Sequence, residues 1–221
     1  MQAARTQPNS TPSRVLQSIR ARGRGSVLVP TDFLSLGTRR AVDAALGRLA
    51  DSGTIRRVGR GVYDFPKSHP RFGPRPPSAD AVAQAVARST GESICSGDAK
   101  AASLLGVSTQ VPAQAVYLTD GTSRVLAVDL GNGRGFDIRF KRSTRRIGLD
   151  SKAGLVLRAL HFLGRNGVDD AAIRKLGASL SDSDARHLAR LRSQATGWMR
   201  SIIDSIISHR KTNKVMNTNV S

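Results

Sequence analysis

The sequence predicts an α+β chain: an N-terminal winged helix-turn-helix, then a mixed α/β C-terminal domain with a small antiparallel sheet and a helical C-terminal part. Three observations carry that expectation. Residues 38–53 hold the pattern of an amphipathic helix, and a short arginine-tipped hairpin pattern follows at once over residues 54–65. Five prolines in the twelve residues PKSHPRFGPRPP then interrupt regular structure, because proline lacks the N–H that helices and central strands need. Beyond them come strand-like stretches and four successive helical patterns. The expected organisation is a disordered start over 1–11, a DNA-binding domain over 12–66, a linker over 67–77, a second domain over 78–208 and a mobile polar tail over 209–221.

The elements follow in order. Thr11 or Ser13 can cap a first helix running to about Arg22, with Val15, Leu16 and Ile19 inward. Arg22-Gly23-Arg24-Gly25 breaks it. Ser26–Val29 reads as a short strand, and Pro30 starts a small helix over Thr31–Leu34. Gly37 turns the chain into the next helix, which Thr38 can cap and Gly53 can end. Its apolar residues Val42, Ala45, Leu46 and Leu49 are spaced i, i+3, i+4, i+7. With that stripe inward, Arg40, Asp43, Ala44, Gly47 and Asp51 face out. Thr54–Val58 and Gly61–Phe65 alternate as two strands around Val58-Gly59-Arg60-Gly61, where glycine supplies the positive φ a tight turn demands.

In the second domain, helices are expected at Ala79–Ser89 and Asp98–Leu105, the latter capped by Ser96 or Asp98. Ala115–Thr119 and Ser123–Leu130 are expected to form a hairpin across Asp120-Gly121. Phe136–Phe140 alternates like a third strand, joined to the second through Gly131–Gly135. Helices follow over 151–164, 168–178, 181–194 and 196–208.

Charge points to a polyanion. The chain of 221 residues has a formal net charge of +19, mostly from arginine, and phosphate neutralisation supplies most of non-specific nucleic-acid affinity. A GC-rich genome also produces arginine-rich chains, but the excess is uneven. It is +10 over residues 1–77, +2 over 78–150 and +7 over 151–221. The stretch that reads as a DNA-binding module is the most basic.

On this reading the DNA-binding residues are Thr38, Arg39, Arg40, Asp43, Ala44, Gly47, Arg48, Arg56, Arg57 and Arg60. Arg40 is the expected base contact, with Asp43, Ala44 and Gly47 on the same face. Arg39 and Arg48 flank the core stripe and should touch phosphate. Arg57 and Arg60 on the wing should reach backbone or minor groove, beside Arg56. A second basic run holds Arg134, Arg139, Lys141, Arg142, Arg145 and Arg146 against Asp137. It reads either as a solvated edge strand guarded against aggregation or as a surface for nucleic acid or an acidic partner.

Other chemistry finds little support. The glycines of 131–135 lead into a strand pattern, whereas a phosphate loop opens a helix. His69, His161, His187 and His209 lie far apart, and His161 falls on a mainly apolar helix as a core or rim residue. Glu92 is the one glutamate. Asp120, Asp129 and Asp137 with Lys141 lack the spacing of a metal-dependent nuclease strand. Cys95 is alone, so neither an internal disulfide nor a zinc motif is expected. No cofactor, metal or enzymatic activity is expected. The start of the chain has no signal-peptide core, and no apolar run approaches a membrane span, so the expected place is the cytoplasm, on DNA. The alternatives are a winged-helix-guided DNA nuclease and an RNA-binding basic protein.

Two blocks carry a family resemblance. Leu36-Gly37-Thr38-Arg39-Arg40-Ala41-Val42-Asp43-Ala44-Ala45-Leu46, followed by Gly59-Arg60-Gly61-Val62-Tyr63-Asp64-Phe65-Pro66, resembles the winged-helix start of the AbiEi-family antitoxins. So does Leu105-Gly106-Val107-Ser108-Thr109-Gln110-Val111-Pro112 with Ala115-Val116-Tyr117-Leu118-Thr119-Asp120-Gly121. The resemblance is to the shorter members and spans roughly residues 12–208 in order. It implies the antitoxin of a type IV toxin–antitoxin pair. Its N-terminal domain would repress its own operon, on operator DNA with inverted repeats. Its C-terminal domain would oppose a nucleotidyltransferase-like toxin, typically without a stable complex.

Overall fold

The computed structural model describes residues 10–110, 113–143 and 151–218. The fold is α+β, with small antiparallel sheets and a helical C-terminal part. The chain forms two compact units. One holds the residues up to Ser93 together with Ser123–Phe140, and the other holds Ile94–Thr122 with the residues from Lys141 onward.

The first unit starts with helix α1 (Thr11–Arg22), strand β1 (Val27–Leu28), a 3₁₀ helix (Pro30–Leu36) and helix α2 (Arg39–Asp51). Strands β2 (Arg56–Gly59) and β3 (Val62–Asp64) complete a three-stranded antiparallel sheet in the order β1-β3-β2. Thr38 caps α2: its Oγ1 accepts the Ala41 N–H at 3.3 Å, which satisfies one of the orphan donors at the helix start. The apolar stripe turns inward, so that Val42, Ala45 and Leu46 join Val15, Ile19, Leu28, Phe33 and Ile55 in one core. Burying a side chain of this size contributes roughly 1.5–3 kcal/mol, which is why the stripe fixes the rotation of α2.

The proline-rich stretch does not divide the molecule. Strands β4 (Ser68–His69) and β5 (Gly73–Pro74) pair with each other. Helix α3 (Ala79–Thr90) follows and packs on the 3₁₀ helix and β1 within the first unit. Asp32 explains the docking. Its carboxylate, 7% exposed, takes the Val29 N–H at 3.1 Å, Arg22 of α1 at 3.3 Å and Arg88 of α3 at 3.1 Å. Arg88 also donates to the Val27 carbonyl of β1 at 3.2 Å. The expected boundary at 67–77 is thus overruled by a buried carboxylate that recruits arginines from both sides of it.

Strands β8 (Arg124–Gly131) and β9 (Arg134–Arg142) form a hairpin. Its turn residues Asn132 and Gly133 have φ of 55° and 69°, the left-handed pair that a two-residue turn demands. The glycine run is therefore a hairpin turn, as its strand-like flank indicates. This pairing replaces the hairpin expected across Asp120-Gly121. Residues 115–119 form β7 (Ala115–Thr119), which pairs with β6 (Ile94–Ser96), a short strand the periodicity does not reveal. Asparagine-glycine makes the stronger turn, and β8 takes its partner there.

In the second unit, α4 (Asp98–Leu104) and α5 (Lys152–Leu163) are joined by α6 (Asp170–Ser179), α7 (Asp182–Leu191) and α8 (Gly197–Thr218). Leu157, Leu160, Leu176, Leu188, Ile203 and Ile206 form the centre of their core. Helices α6 and α8 cross closely. A Cβ on Gly177 would stand 2.9 Å from the Ile206 carbonyl oxygen, so only glycine permits the approach. Helix α8 continues to Thr218, where the polar composition after His209 predicts a mobile tail.

Helix α7 opens with a reciprocal cap. Ser181 Oγ accepts the Asp184 N–H at 3.1 Å, and Asp184 accepts the Ser181 N–H at 3.0 Å and its hydroxyl at 2.6 Å. The Ser181 hydroxyl, then its N–H, holds the Asp184 carboxyl below the usual carboxylate range. A carboxyl depressed on folding adds stability that is complete above its unfolded pKa and is lost as pH falls through the folded one. Ser181→Ala is expected to cost about 1 kcal/mol at neutral pH. Urea titrations should show that difference shrinking below about pH 4.

Candidate nucleic-acid interface

The exposed side of α2 carries Arg39, Arg40, Asp43, Ala44 and Arg48, with Gly47 half-buried beside them. Its first turn holds two arginines and no acid. Cations at a helix N-terminus oppose the macrodipole, so this local choice costs stability. Asp43 offsets part of it, since Arg39 Nε meets the Asp43 carboxylate at 2.9 Å, one turn on. The side chains of Arg40 and Arg48 have no hydrogen bond or ion pair among the described residues. Around Gly47 there is open space where a side chain would stand, so the backbone of α2 can be approached closely there.

The β2–β3 hairpin is held from beneath. Asp64 on β3 is 2% exposed and lies opposite both Val27 and Arg56 in the sheet register. Arg56 grips it with two parallel bonds, Nε to Oδ1 at 3.0 Å and Nη2 to Oδ2 at 2.7 Å. Nη2 also donates to the Arg75 carbonyl at 3.2 Å, which ties the proline-rich segment to the sheet. Arg56 is read from sequence as a DNA contact. The structure commits its guanidinium to a buried carboxylate, because the register puts the two side chains directly opposite.

Arg57 and Arg60 remain outward. Arg57 is exposed and stacks over the Tyr63 ring at 5.9 Å. Arg60 occupies the turn with Gly61, whose φ is 68°, and its side chain has no hydrogen bond or ion pair among the described residues. A groove of about 530 Å³ runs beside them, lined by Gly47, Asp51 and Gly53 from the α2 side and by Arg57 and Tyr63 from the hairpin. Strand β8 lies against β2 as well: a Cβ on Gly59 would stand 3.5 Å from Leu126.

Eight arginines of this unit show two contrasting roles. Arg22, Arg24, Arg56 and Arg88 are spent on structure. They bind Asp32, the Pro66 carbonyl, Asp64 and Asp32 again, and Arg22 and Arg24 also cover the Phe33 and Phe65 rings. Arg40, Arg48, Arg57 and Arg60 are exposed and have no carboxylate partner among the described residues. Residue type alone does not separate the groups. An acid in strand register does, as with Asp64 opposite Arg56.

The second basic run is less unified than its sequence. Arg134 lies at the start of β9 beside the hairpin turn. Arg139 and Lys141 alternate outward with buried Ile138 and Phe140, which is how a half-buried strand keeps its charges solvated. Arg142 lines a cavity of the second unit. Arg145 and Arg146 lie outside the described residues. No group of three His, Cys, Asp or Glu side chains among the described residues could hold a metal ion. No helix among them is long and apolar enough to cross a membrane.

A family model described as a family of unknown function (DUF6088) matches residues 14–188. No curated protein matches the chain.

The division of arginines can be tested on the free protein. Arg56→Ala leaves Asp64 buried and unpaired and is expected to cost about 3 kcal/mol. Arg60→Ala is expected to change stability by less than about 0.5 kcal/mol. Chemical denaturation of both variants measures the contrast.

Proposed function

We propose that this chain, which belongs to the DUF6088 family by a match over most of its length, is a non-enzymatic winged-helix protein that reads duplex DNA with α2 and the β2–β3 hairpin. One observation carries the reading. Four arginines on one helix and the hairpin that follows it, Arg40, Arg48, Arg57 and Arg60, are exposed and have no carboxylate partner among the described residues, while Arg22, Arg56 and Arg88 are held by internal carboxylates. Folding gains nothing from leaving four guanidiniums unpaired on one module, and a phosphate backbone gains much from meeting them. The element order helix, strand, short helix, helix, hairpin also supports it, since that is the order in which a helix-turn-helix acquires a wing.

In this reading Arg40 contacts base edges, with Ala44 and Gly47 allowing close approach to the groove. Arg39 is shared between Asp43 and phosphate. Arg48, Arg57 and Arg60 hold the backbone. The resemblance to AbiEi-family antitoxins extends the proposal. The DNA would be the operator of the protein's own operon, and the second unit would oppose a nucleotidyltransferase-like toxin encoded beside it.

Fluorescence anisotropy on the upstream region of the gene tests the DNA reading. With 6–10 phosphates neutralised, affinity should fall by roughly 10³–10⁵ between about 50 and 200 mM salt. Arg40→Ala should cost about 1–3 kcal/mol on the specific duplex and relax preference at one or two base pairs. Arg60→Ala should weaken specific and random duplexes alike. A flat salt response removes the proposal.

The antitoxin role is tested by growth. Co-expression with an adjacent nucleotidyltransferase-like protein should restore growth that the neighbour alone suppresses. Reversing Arg142, Arg145 and Arg146 to glutamate should abolish that rescue while circular dichroism stays unchanged. Full rescue by the folded triple variant would move the antidote surface elsewhere.

A further inference from the structure

The second unit contains a cavity of about 390 Å³, a size suited to a small organic ligand. Arg158, on the second turn of α5, lines it. Arg158 is 3% exposed, and its Nε and Nη1 are fully buried without a hydrogen-bond partner. No carboxylate among the described residues pairs with it. A buried guanidinium without a counter-ion is costly to keep. The apolar core around it, from Val156 to Leu160, could have taken a leucine at that position.

The surroundings favour an anion. His161, one turn after Arg158 on the same helix, lines the cavity, and its Nδ1 lies 3.0 Å from Asp98. That contact leaves Nε2 as the ring nitrogen without a described partner. Arg142 stands in the wall. Thr196 lies at the entrance of α8, whose first turn starts at Gly197. The opening N–H groups of a long helix lack intrahelical acceptors and carry partial positive charge. Donors thus converge from α5 and from the start of α8. Nε and Nη1 of Arg158 are closed to solvent, so a ligand meets the guanidinium through Nη2; a carboxylate has two oxygens for Arg158, His161 and the α8 N–H groups, whereas a tetrahedral phosphate has three. Leu118, Leu157 and Met199 supply an apolar wall beside them, where a bare ion would leave space unfilled.

We propose that this cavity binds a small phosphorylated organic molecule, with its phosphate on Arg158 and His161 and its apolar body against Leu157 and Met199. The site lies wholly within the second unit and does not depend on the DNA-binding reading.

Thermal unfolding and isothermal titration of the full chain test it, with inorganic phosphate, adenosine 5′-monophosphate and adenosine as probes and ionic strength matched by chloride. The monophosphate should raise Tm saturably, by roughly 5–10 °C at about 100 times its Kd. Inorganic phosphate should bind more weakly, and adenosine should not stabilise. Arg158→Met should abolish the response and leave the unliganded protein at least as stable as the wild type, because an uncompensated buried charge is gone. His161→Ala alters a side chain that is 65% exposed, so it should fold normally and bind at least ten-fold more weakly. If Arg158→Met does not fold, His161→Ala decides. The proposal is overturned if neither phosphate probe stabilises beyond chloride, if inorganic phosphate binds and the monophosphate does not, or if His161→Ala keeps the full response.

Discussion

The buried pair of Asp64 and Arg56 is the joint on which the first unit turns. Asp64 sits in the middle strand of a three-stranded sheet, nearly inaccessible to water. An ionised carboxylate there is tolerable only with a charged, correctly shaped partner. Arg56 supplies it in two bonds, and the match holds in one register alone. Sliding β2 by one residue would turn Arg56 to the opposite face and strand the charge. The pair therefore fixes which hairpin side chains point outward, and it leaves Arg57 and Arg60 free. Through the Arg75 carbonyl the same guanidinium also anchors the proline-rich segment.

Asp32 does comparable work one layer away. It draws α1, the 3₁₀ helix and α3 together through Arg22, the Val29 amide and Arg88. Both acids sit in the most basic part of the chain, where acids are scarce. Each is surrounded by arginines that would otherwise count toward a positive surface. The net charge of that region thus overstates what an outside polyanion would meet. What reaches solvent unpaired is smaller, and it includes Arg40 and Arg48 on α2 and Arg60 at the hairpin tip.

The second unit follows different rules. Its helices are assembled by apolar burial, with Gly177 allowing α6 and α8 to meet backbone to backbone. Where Arg192 meets Asp204 there, the pair is exposed, and such pairs add little stability. Arg158 departs from both habits. It is neither at the surface nor paired, and that exception within an otherwise apolar helix points to a ligand.

Local signals were legible where they were strong. The stripe of Val42, Ala45 and Leu46, the cap at Thr38, the turn at Gly61 and the hairpin at Asn132-Gly133 all follow from residue type and spacing. They depend on interactions within a few residues, which a sequence displays directly. The long-range choices were not legible. The sequence does not say that Arg56 faces inward, that α3 joins the first unit, or that β7 pairs with β6. Nor does it bring together Asp98 and His161, 63 positions apart in the chain. The sequence by itself determined the fold class, the helix-then-hairpin pattern and the excess of arginine. The tertiary structure decided which arginines are spent and which are available, because a guanidinium's role is set by the carboxylate that folding brings within about 3 Å of it.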